Sequence, residues 1–200
     1  MNLFVLDNDL DKCAEYHVDK HVVKMILEAA QILCTNMWID TYLGSVPRKL
    51  TKEENAELSE LRKSWKSVSM EQRTIPYLPT MQNHPCTIWA RESLDNFYWT
   101  HNYANALNEE YCYRYGKRHK SVENVINKLP EPKNIEQHGL TPFAMAMPDE
   151  LKNEDDIIQS YRNYYMLDKA TFASWKGRET PAWWDEELAD YEERITRKNN

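Results

Sequence analysis

His17-Val-Asp-Lys-His-Val-Val-Lys-Met-Ile-Leu-Glu-Ala-Ala-Gln-Ile-Leu-Cys-Thr35 is the stretch that decides the fold. At 100° per residue, His17, His21, Lys24, Glu28, Gln31 and Thr35 fall on one line of a helix. Nearly every other position from Val22 to Trp38 is apolar. A surface helix shows a broad polar face opposite a core stripe. This one inverts the proportion, which predicts a long central helix from about Asp19 to Tyr42, surrounded on most sides. Its polar line must then meet a strip of solvent or an internal polar cavity. Buried histidine, lysine and glutamate are costly unless paired or hydrated, and that cost favours a ligand pocket.

Three readings of the line compete. One is a thin exposed edge with His17 and His21 solvated. Another is a metal site, since histidines at i and i+4 share a helix face. No HExxH accompanies them, however, and Lys24 on the same line repels a cation. The favoured reading is an anion pocket in which His21 and Lys24 hold a phosphate or carboxylate while Glu28 or His17 moves a proton.

Outward from this helix, Leu3-Phe4-Val5-Leu6 reads as a short strand, with room for a minor β-hairpin near the amino terminus. Asp9 to Tyr16 reads as a short helix. Thr51-Lys52-Glu53-Glu54 fits a capping box opening a helix that carries Leu58, Leu61 and Trp65 on one face. Residues 67–83 decay into loop. Pro85 suits a first helical turn and begins a helical stretch that runs through Trp89 and Trp99 to Tyr115, stopped by Gly116. Ser121 is expected to cap a short helix, residues 130–149 to make an extended surface excursion with four prolines, and Asp155 to Trp175 to form another helix. An acidic helix is expected after Pro181, its default meaning a solvated face. The fold class is mainly α, one domain over residues 1–200.

Composition narrows the function. The 200 residues carry 25 Lys+Arg against 32 Asp+Glu, a net charge of −7, which argues against coating duplex DNA through bulk positive charge. The 4 glycines are too scattered for a GxGxxG turn or a Walker-type loop. None of Cys13, Cys34, Cys86 and Cys112 forms a CxxC pair, and acids interrupt the apolar amino terminus, so a reduced cytoplasmic setting without secretion signal or membrane span is expected.

Three segments place cations beside rings. Tyr111 to Lys120 holds Arg114, Lys117, Arg118, His119 and Lys120 with no acid between them. Tyr161-Arg162-Asn163-Tyr164-Tyr165 is followed by Lys169. Trp175-Lys176-Gly177-Arg178 precedes Trp183-Trp184. Rings that stack and guanidinium groups that fork suit a base with a phosphate. Core tyrosines with polar tips at the rim account for each ring singly. His84, before a helix start where free amides attract anions, is a further candidate.

The runs FVLDNDLDKCAEYHVDKHVVKMILEAAQIL (Phe4–Leu33), NHPCTIWARES (Asn83–Ser93), EEYCYRYGKRHKS (Glu109–Ser121), AMPDELK (Ala146–Lys152) and YRNYY (Tyr161–Tyr165) are spread along most of the chain. Together they resemble an uncharacterised family of small proteins of tailed phages, marine phages among them. The resemblance implies a cytoplasmic protein made in the infected host and carries no activity with it. Relatives often have cysteine where this chain has His17, which weakens a two-histidine metal site.

The expectation is therefore an enzyme acting on a nucleotide, or on a single-stranded or flipped base of a nucleic acid, by phosphoester or N-glycosidic cleavage. Acid–base work is assigned to His21 with Asp19, Glu28 and His17. Phosphate binding is assigned to Lys20, Lys24, Arg114, Lys117, His119, Arg162 and Lys169. Contact with the base is assigned to Tyr111, Tyr115, Tyr161, Tyr165 and His84. No cofactor is assigned, though a divalent metal remains compatible. The alternatives are a binder that sequesters a nucleotide signal or blocks a host factor, and a protein–protein module using the acidic last helix.

Overall fold

Helix α2 spans Asp19–Tyr42, the bounds its apolar periodicity marks out. In the computed structural model, which describes residues 1–185, it is the most enclosed element, with Ile26, Ala29, Ala30, Ile32, Leu33 and Cys34 fully buried. Around it come α1 (Leu10–Tyr16), α3 (Lys52–Trp65), α4 (Pro85–Glu92), α5 (Leu94–Tyr115), α6 (Lys120–Asn124) and α7 (Ile157–Lys169). The central contact is α2 along α5. Helix α1 packs on α5, α4 on both, and α3 and α6 on α2. The result is a single compact helical domain.

Local chemistry sets the helix ends. The Asp9 carboxylate accepts from the Asp11 and Lys12 amides to start α1, and Thr51 and Glu54 complete both halves of the capping box on α3. Gly116, at φ 66°, closes α5 in the left-handed region that favours glycine. The stretch expected as one helix from Pro85 to Tyr115 is two, because Ser93 is extended and its hydroxyl caps the Asp95 amide. Helix α6 is capped by His119 rather than Ser121: the imidazole Nδ1 accepts from the Ser121 amide.

The structure corrects the expected strand. Leu3–Leu6 is buried, but no strand or hairpin occurs among the described residues. Side chains take its backbone groups instead. The Leu6 amide donates to Cys13 Sγ, that thiol donates to the Phe4 carbonyl, and Arg162 Nε donates to the Leu6 carbonyl at 2.9 Å. An apolar run satisfied this way needs no sheet partner.

Residues 130–148 contain no helix or strand, as the excursion requires, yet they are stitched down. The buried Asp40 carboxylate, in the last turn of α2, accepts from the Lys133, Asn134 and Ile135 amides at 2.8, 2.7 and 3.0 Å. The acidic helix expected after Pro181 falls outside the described residues beyond Asp185. By length and composition α2 is apolar enough to cross a membrane, contrary to the expectation that no segment is. In this fold 72% of that window is buried inside the protein, and core helices of soluble proteins pass the same test.

Replacing Asp40 by Ala should leave the buried Ile135 amide and the partly buried Lys133 and Asn134 amides without their acceptor and cost about 2 kcal/mol or more. Hydrogen exchange at Lys133, Asn134 and Ile135 should lose its protection well before that of α2; unchanged protection there would show that the carboxylate does not hold the excursion.

Candidate functional site

His17 lies outside the helix on which its spacing was counted. Helix α1 ends at Tyr16, and His17 and Val18 are extended, so His17 and His21 are not an i, i+4 helical pair. They still converge, with ring centroids 6.5 Å apart. His17 is fully buried. Its Nδ1 lies 2.7 Å from the Cys13 carbonyl and its Nε2 2.9 Å from the Tyr103 hydroxyl. A carbonyl can only accept, so Nδ1 carries the proton and Nε2 takes one from the phenol. Both nitrogens are thereby engaged inside the protein.

His21 is 5% exposed. Phe4 stacks on its ring at 4.8 Å, and Tyr165 and Phe172 meet it edge-on at 5.2 and 5.8 Å. Its Nδ1 is 2.8 Å from the Tyr165 hydroxyl. Its Nε2 has no hydrogen-bond partner among the described residues, and it is not sealed from solvent as the unpartnered Arg73 Nε, Thr87 Oγ1 and Trp183 Nε1 are. Three lysines lie around His21 and the rings that wall it, Lys169 and Lys24 near enough to act on its charge. Lys20 Nζ sits 4.6 Å from the Phe172 ring, and Lys169 Nζ lies 5.2 Å from Tyr164 and 5.8 Å from Phe4. Lys24, 64% exposed, reaches Glu28 at 3.3 Å. Glu28 also accepts from the Asn2 amide at 2.8 Å, beside the Met1 amine.

The water-facing strip of α2 is Lys20, Val23, Lys24 and Leu27, with Val23 39% and Leu27 37% exposed. It is offset from the line counted in the sequence. His21 and Glu28 lie just beneath its edge, and Thr35 is buried, exchanging hydrogen bonds with the backbone of Thr80.

Most of the other assigned cations face inward. The Arg114 side chain is wholly buried and donates to Glu110, Asp19 and the carbonyls of His17 and Glu15 at 2.6–2.9 Å. Arg178 closes the same knot on Glu110 and Glu15 and lies 4.0 Å over Tyr113. Burial alone would raise Asp19, but the Lys176 amide, Ser174 hydroxyl and Arg114 hold it below its ordinary value. Arg162 serves Leu6 and Asp7. Tyr161 and Tyr165 are fully buried. Burial pushes both phenols well above their usual range, so they keep their protons. Tyr111 packs on Tyr115 and His119, while Tyr115 turns its hydroxyl to Asp19. Lys117 is exposed near this group. His84 caps α4 by accepting from the Cys86 amide at 3.2 Å. The cation–ring segments therefore do not gather into one anion site. Lys20, His21 and Lys169 do come together around Phe4, Tyr164 and Phe172, with Lys24 near enough to bear on His21 and Glu28 joined to the group through Lys24.

Those three rings lacked a sequence signal pointing to the site. Tyr164 sits between Tyr161 and Tyr165, and helical spacing groups the latter two without saying which face is outward. Among the described residues, no three histidine, cysteine, aspartate or glutamate side chains gather as a metal site would. Burial raises Cys13 to about 11, Cys34 to about 12 and Cys86 to about 11, which makes them poor nucleophiles. Comparison of the chain with protein-family models, curated proteins and solved structures found no match in any of the three.

Burial lowers His17 to about 4, with Arg114 adding to the effect, and lowers His21 to about 3, helped by His17, Lys169 and Lys24. Both rings are neutral at neutral pH. Below pH 6.5 the unfolded chain binds protons that the folded one refuses, so stability falls as pH drops from about 6.5 toward 4. His17 alone should account for about 3 kcal/mol of that loss. Urea titrations between neutral and acid pH should show the decline, and His17→Gln should make it shallower, His21 supplying the remainder, while lowering stability throughout. A slope unaltered by that substitution would rule out His17 as its source.

Proposed function

We propose that the protein binds a nucleotide, free or as an unpaired base of a nucleic acid, along the outer edge of α2 and cleaves its N-glycosidic bond. The observation that carries this reading is His21: a neutral imidazole with one open nitrogen, walled by rings and bordered by Lys20, Lys24 and Lys169. Lysines and a ring N–H suit phosphoryl oxygens, and the exposed Val23 and Leu27 beside them suit the apolar face of a base. Glu28 lies two turns further along α2, roughly 10 Å by helical rise. A phosphate at His21 therefore leaves Glu28 near the sugar–base bond and away from the phosphoester. There a carboxylate can activate water or stabilise a developing oxocarbenium. The resemblance to tailed-phage proteins supports action in the cytoplasm of an infected host, in DNA modification or defence evasion.

A second reading draws on the ion pair between Glu28 and Lys24, which leaves no proton-transfer group unengaged: a binder that sequesters the nucleotide unchanged.

Purified protein mixed with nucleoside monophosphates and with single-stranded oligonucleotides should release free base, detected by mass spectrometry. Glu28→Gln should abolish release while retaining binding. Lys169→Ala should weaken binding roughly tenfold, the scale of one charged hydrogen bond. Asp168, which pairs with Lys169, competes with the phosphate, so Asp168→Asn should strengthen binding. Intact nucleotide recovered from the denatured protein, with no base released, would favour the binder. Binding indifferent to Lys169 and Asp168 would remove both readings.

A further inference from the structure

The Tyr165 hydroxyl lies 3.2 Å from the Val18 amide and 2.8 Å from His21 Nδ1. A backbone N–H can only donate, so one phenolic lone pair is taken by Val18. Tyr165 is fully buried, and the acceptor within reach of its own proton is His21 Nδ1. If Nδ1 were protonated, the phenol would accept twice and its proton would be stranded in a sealed interior, an arrangement native proteins avoid. The ring proton of neutral His21 therefore belongs on Nε2, the nitrogen at the lysine-bordered edge. His17 is the reverse case, its proton set on Nδ1 by the Cys13 carbonyl and its Nε2 served by Tyr103. Two neighbouring histidines thus hold opposite tautomers, each matched to a buried tyrosine that donates.

We infer that Tyr165 is a positioning residue that locks His21 as a neutral Nε2–H donor, and that this donor, with Lys20, Lys24 and Lys169, receives a phosphoryl oxygen. The ligand assignment rests on the site reading proposed above; the tautomer does not. The consequence is chemical. An imidazole that presents N–H outward offers no lone pair there, so it neither takes a proton from a substrate nor binds a metal at that edge. It stabilises negative charge on oxygen, and proton movement falls to Glu28. The ring cannot swing away from this task, because Phe4 stacks on it and Tyr165 and Phe172 flank it.

The test needs no substrate for its first step. Long-range proton–nitrogen correlation spectra of the intact, histidine-labelled protein at neutral pH should show His21 protonated on Nε2 and bare on Nδ1, with His17 the opposite. In Tyr165→Phe the His21 pattern should move toward a mixture of tautomers while that of His17 stays. In the second step, nucleoside monophosphate affinity should fall at least about tenfold in His21→Asn, whose amide mimics the Nδ1 position. His21→Gln, whose amide can donate from the Nε2 position, should retain most of it. A bare Nε2 on His21 in the wild-type spectrum overturns the inference. The expected tautomer with nucleotide binding that ignores both His21 substitutions overturns the site reading and the ligand assignment together.

Discussion

Arg114 is the constraint on which the architecture turns. It projects from the last turn of α5 into the bend between α1 and α2. There it donates to the His17 and Glu15 carbonyls, left without helical partners at that break, and to Asp19 at the start of α2. Asp19 in turn holds Ser174 and the Lys176 amide, and Glu110 holds Arg178. One guanidinium thus ties α5, α1, α2 and the segment after α7 at a single point. A buried cation survives because carboxylates and carbonyls meet it from several sides, and deleting one member of such a group costs roughly 3–5 kcal/mol.

That knot positions the histidines. With His17 held at the bend, α2 begins so that His21 rises beside it, and the amino-terminal segment slots Phe4 between His21 and Tyr164. Tyrosines from α5 and α7 then supply the hydrogen bonds that a buried imidazole needs. The same enclosure that makes the rings neutral makes them precise: a neutral imidazole with a fixed tautomer has one chemistry to offer at each nitrogen.

Much of the scaffold was legible along the chain. The bounds of α2 followed from apolar periodicity, the start of α3 from a capping box and the stop of α5 from Gly116, because each depends on residues within a turn or two. The amino-terminal segment is the converse case. Leu3–Leu6 is apolar and extended, but whether an extended segment pairs with a strand or with side chains depends on distant residues such as Cys13 and Arg162. The break at Ser93 is not legible in the sequence because its cap on Asp95 is one hydroxyl in an otherwise helical pattern.

Sequence alone determined that this chain is a helical protein with a long, mostly buried helix. Periodicity and turn chemistry are local, so a helix at this spacing can be read without its neighbours. Tertiary structure alone decided which polar groups remain available to a ligand. Arg114, Arg162, Tyr161 and Tyr165 look like recognition groups by type, yet they are consumed in binding the chain to itself, while Lys20, Lys24 and the open edge of His21 are left outward. A charge or a ring can be satisfied from within or from without, and that choice is made by neighbours far away in sequence.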